Sequence, residues 1–221
     1  MSITIKEWTT WEQKFVVFLE TQLADADGAH DLAHIRRVVA NAKRLAAVET
    51  ARLEVVLPAA WLHDCVTVPK NSPLRSQAST LAGAAAADFL RQENYPEQYI
   101  DDIAHAISAH SFSANIPPRT IEAQIVQDAD RLDSLGAIGI ARCLITGVSM
   151  GTELYCAADP FGESGRERSD KQYSVDHFYI KLFKLAGMMQ TAAGRAEAQQ
   201  RTDYMRGYLE QLGHEISAAK D

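Results

Sequence analysis

Four histidine and aspartate side chains sit in unusual surroundings for polar groups: His34, the doublet His63-Asp64, and Asp130. Each lies in or at the end of an apolar run with helical spacing. A polar or charged group buried in such a place is costly unless it is paired or bound to metal. Imidazole nitrogen together with carboxylate oxygen suits a divalent Mn, Mg, Fe or Zn ion. Adjacent residues on a helix diverge by only about 100°, so His63 and Asp64 can both turn toward one ion at a helix end. One such doublet means little, because His30-Asp31 is a second. The wider pattern says more: His34, then His63-Asp64, then Asp130, each embedded in apolar helical sequence. Four such groups point to convergence on one ion.

The elements that must hold them read as helices. Trp8, Trp11, Phe15, Phe18 and Leu19 form one stripe; Leu32, Ile35, Val38, Val39, Ala42 and Leu45 form the next. The pattern continues through Leu81, Ala85 and Phe89, then Ile100, Ile103 and Ile107, then Ile121, Ile125 and Leu132. Val175 to Met189 and Met205 to Ile216 carry it to the end. No alternating β-branched run or Asn-Gly turn appears, so the expectation is an all-α protein of about eight or nine helices. We expect one domain over 1–221, with a core over about 20–149, a loop excursion over 150–173 and C-terminal helices over 174–219. A long Gly- and Pro-bearing excursion reads either as a functional lid or as a plain linker.

Composition narrows the partners. With 22 Lys+Arg against 29 Asp+Glu, the net charge is -7, which argues against extended nucleic acid. A small anion is still admissible if a metal supplies the positive centre. Cys65, Cys143 and Cys156 form no CxxC pair, as expected of free thiols in a reducing cytoplasm. The first residues lack a basic segment followed by an apolar run, so no signal peptide is expected. No stretch approaches 18 apolar residues, so no membrane span is expected either.

The order H…HD…D resembles the HD-domain superfamily of metal-dependent phosphohydrolases, and most closely its small stand-alone bacterial members. The resemblance rests on His30-Asp31-Leu32-Ala33-His34-Ile35-Arg36-Arg37-Val38, Ala59-Ala60-Trp61-Leu62-His63-Asp64, His110-Ser111-Phe112-Ser113, Gln127-Asp128-Ala129-Asp130-Arg131-Leu132-Asp133 and Tyr173-Ser174-Val175-Asp176-His177-Phe178-Tyr179. It covers roughly residues 20–215. It implies an all-α fold, with His34, His63, Asp64 and Asp130 as metal ligands. It also implies hydrolysis of a phosphoester or phosphoanhydride bond in a small phosphorylated substrate, with nucleotides the leading class. Four ligands on a six-coordinate ion leave about two positions for water and a phosphate oxygen. Asp64 is the ligand that could also hold the attacking water, in a catalytic role. A non-catalytic sensor that keeps the metal and a ligand is the alternative. Pro58, inside the segment leading to His63, should kink the helix or mark its first turn.

Further residues are candidates for substrate binding. Lys70 and Arg75 follow the doublet in a loop with few apolar residues and suit phosphate oxygens. Arg37 could do the same or pair with an acid. His110 reads equally as a phosphate contact and as a helix-capping imidazole. Asp133 follows Asp130 by one helical turn and could orient water or be structural. His30 reads as a helix-start residue beside the cap Asp31, or as an outer partner of the metal site.

Overall fold

In a computed structural model the described residues are 4–22, 32–68, 72 and 74–218, and among them every regular element is helical. His30 and Lys70 lie outside the described residues. The chain divides into two compact units, 1–130 and 131–221. No single described helix is long and apolar enough to cross a membrane.

In the first unit the helices are α1 (Ile5–Gln22), α2 (Leu32–Glu49), α3 (Leu53–Leu62), α4 (Ala78–Gln92), α5 (Ile100–His110) and α6 (Ile121–Leu132), the last running just past its end. The centre is α3, in which every residue from Val55 to Leu62 is buried. A helix apolar on all sides can only be an interior element, and α3 packs against α1, α2, α4 and α5. Pro58 lies mid-helix and not in the first turn. The start of α3 is tied down. Arg52 just before it reaches Glu122 on α6 and Asp102 on α5, both at 2.8 Å. The Tyr95 hydroxyl donates to the Glu54 carbonyl at 2.6 Å.

Phe15 and Leu19 of α1 are fully buried, and Phe18 stacks on Phe89 at 4.1 Å. The α4 stripe differs from the sequence expectation. Leu81 is exposed, and the buried face is Ser79, Ala82, Gly83, Ala86, Ala87 and Leu90. Small residues win that face because α4 and α5 lie so close. A Cβ on Gly83 would stand 2.6 Å from Ser108 Oγ and 2.8 Å from the Ala104 carbonyl.

The second unit holds α7 (Gly136–Met150), α8 (Ser174–Ile180) and α9 (Ala192–Ala218), with a 3-10 stretch over Leu182–Met188. The apolar period from Val175 to Met189 is thus broken after Ile180. Gly151, at φ +71, closes α7 in the left-handed conformation that suits glycine. The excursion that follows is helix-free but well tied. Glu153 N–H donates to Gln172 O, Val175 N–H donates to Leu154 O, and Arg166 grips the buried Asp176 with both ends of its fork at 2.7 Å.

Gly83→Ala should lower stability by about 1–3 kcal/mol, the typical cost of overpacking. A lower urea midpoint at unchanged slope is the expected readout. An unchanged midpoint would mean that α4 and α5 can separate freely.

Candidate metal centre

The five polar groups that meet in the first unit arrive from four helices. His34 sits on α2, His63 caps α3, Asp64 follows it, His110 ends α5 and Asp130 lies on α6. His34 Nε2 lies 3.4 Å from His63 Nε2, 3.5 Å from Asp130 Oδ1 and 3.8 Å from Asp64 Oδ2. His63 Nε2 lies 3.6 Å from Asp64 Oδ2 and 3.9 Å from Asp130 Oδ1. His110 Nε2 faces the other oxygen of Asp64, Oδ1, at 3.5 Å. The histidines are buried, and the two carboxylates are partly open.

Hydrogen bonding fixes what these atoms can do. His63 Nδ1 donates to the Ala60 carbonyl at 2.8 Å, within the last turn of α3. The ring's single proton is thereby placed on Nδ1, which leaves a lone pair on Nε2. Burial pushes the His63 pKa down despite nearby Asp64, so the neutral form is favoured. That lone pair faces two carboxylate oxygens, an arrangement of acceptors that calls for a cation between them. With metal–ligand bonds of roughly 2.0–2.2 Å, neighbouring ligands on a coordination shell stand about 3.0–3.5 Å apart. The observed edges of 3.4–3.9 Å are close to that. Among the described residues two ligand triads qualify, His34/His63/Asp130 and His63/Asp64/His110, and the donor set fits a divalent ion.

His110 has the same anchor, Nδ1 donating to the Ile107 carbonyl at 2.6 Å. Burial alone would lower its pKa, but the hydrogen bond and charge of Asp64 outweigh that, and Asp130 adds to them. The ring is held above its ordinary value.

Two buried amides that the sequence reading passed over hold the ligand-bearing backbone. Asn41 Nδ2 donates to the Ala129 carbonyl, next to Asp130, at 3.2 Å. Gln127 Nε2 donates to the Ala109 carbonyl, next to His110, at 2.7 Å. Both interrupt apolar stripes, the same signal that singled out the ligands.

The other candidates are placed as follows. Arg75 lines a polar pocket together with Asp64 and His110. Arg37, half-buried on α2, does not line it. Helix α6 ends at Leu132, so helical spacing from Asp130 does not carry through to Asp133. That residue lies in the following turn, buried and paired with Arg142. His105 is half-buried and accepts the Arg119 N–H at 3.1 Å. Burial raises the Cys65 thiol to about 12, so it is no nucleophile.

Comparison with known proteins gives consistent matches. A model of the HD domain matches residues 31–135. The Bacillus subtilis protein YpgQ is 31% identical over 203 residues, covering 90% of this chain and 90% of its own. The crystal structure of Bacillus subtilis YpgQ in complex with ADP aligns at TM-score 0.67 and 29% identity, covering 92% of this chain and 93% of that one. The crystal structure of an HD-superfamily hydrolase from Bacillus thuringiensis aligns at TM-score 0.74 and 32% identity, covering 95% and 98%.

Substituting His63→Ala or Asp130→Ala should weaken divalent-metal binding by about 100-fold while far-UV circular dichroism is unchanged. Asn41→Ala, acting through the Ala129 carbonyl, should cost less, on the order of 10-fold. Metal content after dialysis reads both effects. Full occupancy in His63→Ala would rule this cluster out as the metal centre.

Proposed function

The chain belongs to the HD-domain family, and from that membership we propose that it is a divalent-metal-dependent phosphohydrolase. Its substrate is a small phosphorylated molecule, of which a nucleotide is the leading class. The observation that carries the reading is the position of Asp64, one oxygen facing His34 and His63 and the other facing His110 beside a polar pocket.

His34, His63, Asp64 and Asp130 would hold the cation. Bound there, a divalent ion supplies Lewis acidity, lowering the pKa of water and offsetting charge on the phosphoryl oxygens. The chain's own residues do the rest. Asp64 Oδ1 stands at the edge of the array, where it can accept a hydrogen bond from attacking water and set its direction. His110, with its Nδ1 proton committed to Ile107, presents Nε2 toward Asp64 at the pocket wall. In its protonated form it can donate to a phosphoryl oxygen or to the departing group. The buried His63 ring cannot turn without losing its bond to Ala60, so it positions and does not shuttle protons.

The ADP complex of YpgQ supports a nucleotide as ligand, since that relative matches nearly the whole chain. The bond cleaved is tested by turnover of a panel of mono-, di- and triphosphates with Mn or Mg. Activity should vanish with a chelator, return on adding Mn, and fall at least about 1000-fold in Asp64→Ala. A metal-loaded protein that turns over no member of the panel would contradict the enzyme reading and favour a sensor.

A further inference from the structure

Helix α7 is built inside out. Its interior side carries Gly136, Gly139, Ile140 and Gly147, and the helix packs against α8 and α9 within the second unit. A Cβ on Gly147 would collide with the Ser174 hydroxyl, so the approach to α8 depends on glycine. The larger side chains stand outside: Ile138 is 39% exposed, Ile145 67% and Val148 80%. An amphipathic surface helix does the reverse and turns polar residues to water. Helix propensity does not explain the choice either, since β-branched residues are weaker helix formers than Ala, Glu or Lys. A contiguous apolar face of this kind marks a contact with another molecule.

The spacing identifies that molecule. Ile138, Ala141, Ile145 and Val148 follow one another at intervals of three, four and three, so they run along one side of the helix. The pattern reads the same from either end. Laid antiparallel about a two-fold axis level with Cys143, two such helices set Ile138 against Val148 and Ala141 against Ile145, each pair occurring twice. The exposed Ala141 leaves the room that Ile145 needs, the alternation of small and large side chains by which packed helices interdigitate. Charge gives the same answer. Arg142 is the one charged residue of α7, and it is committed to Asp133. Ala137, Thr146 and Ser149, on the flanks, are exposed and uncharged. A net charge of -7 makes two copies repel as wholes, and an uncharged face is where they can still meet. An acidic or basic partner protein, or an anionic lipid headgroup, finds no charge there to pair with.

We infer that this face of α7 is a homodimer interface, with a second copy of the chain packed antiparallel across it. A helix of 15 residues is about 22 Å long, so the contact lies at the small end of specific interfaces and the dimer should dissociate in the micromolar range. The interface does not depend on the hydrolytic reading of the metal centre.

Sedimentation velocity on the full chain, over roughly 1 to 200 µM, is the test. Wild type should pass from monomer to dimer within that range. Ile145→Glu and Ala141→Lys should each weaken self-association by at least about 30-fold, because each places two unpaired charges in the contact, with far-UV circular dichroism unchanged. Mixed in equal amounts, the two variants should dimerise again, since that pairing holds one Lys–Glu contact and one native Ala–Ile contact. Val148→Glu, at the most exposed position of the stripe, should weaken association similarly and serves if either variant fails to fold. A wild type that stays monomeric, or an Ile145→Glu chain that dimerises as wild type does, would overturn the interface. A mixture that stays monomeric would overturn the antiparallel pairing, and the proposal with it. A monomeric wild type that sediments with phosphatidylglycerol vesicles would assign the face to a membrane instead.

Discussion

The structure turns on two hydrogen bonds inside single helical turns, His63 Nδ1 to the Ala60 carbonyl and His110 Nδ1 to the Ile107 carbonyl. Each takes a carbonyl near a helix end, where backbone acceptors lack partners, and uses it to fix an imidazole. For the buried, neutral His63 the consequence is electrostatic. Its Nε2 presents a lone pair to the Asp64 and Asp130 oxygens, themselves acceptors, and a cation held between them relieves that arrangement.

Much of the first unit serves to keep those rings where they are. Helix α3 brings His63 to the interior because no face of it tolerates water, and Arg52 and Tyr95 tie down its beginning. Close packing of α4 on α5 at Gly83 places His110 against Asp64. Asn41 and Gln127 fasten the backbone beside Asp130 and His110. A ligand displaced by an ångström would no longer share an ion with the others, so these remote hydrogen bonds matter to the chemistry more than their individual energies suggest.

How much of this could be read from the sequence differs by element. The helices were legible wherever large apolar residues mark a face, as in α2 and α5. The buried face of α4 was not, because alanines carry little directional signal and Gly83 and Ala82 outcompeted Leu81 for the interior. The end of α6 at Leu132 has no glycine or proline to announce it, so Asp133 was placed on a helical face that it does not share. The cluster residues stood out because each interrupts an apolar run. What no spacing encodes is the tautomer, the division of Asp64 between two sets of partners, and the Arg166–Asp176 fork that ties down the excursion.

The most direct test of the acceptor array is the coordination shell itself, measured by X-ray absorption on protein loaded with one equivalent of Mn. The account predicts nitrogen and oxygen ligands at roughly 2.1–2.2 Å with outer-shell scattering from two imidazoles. A spectrum of Mn surrounded by water alone, with no imidazole scattering, would contradict it.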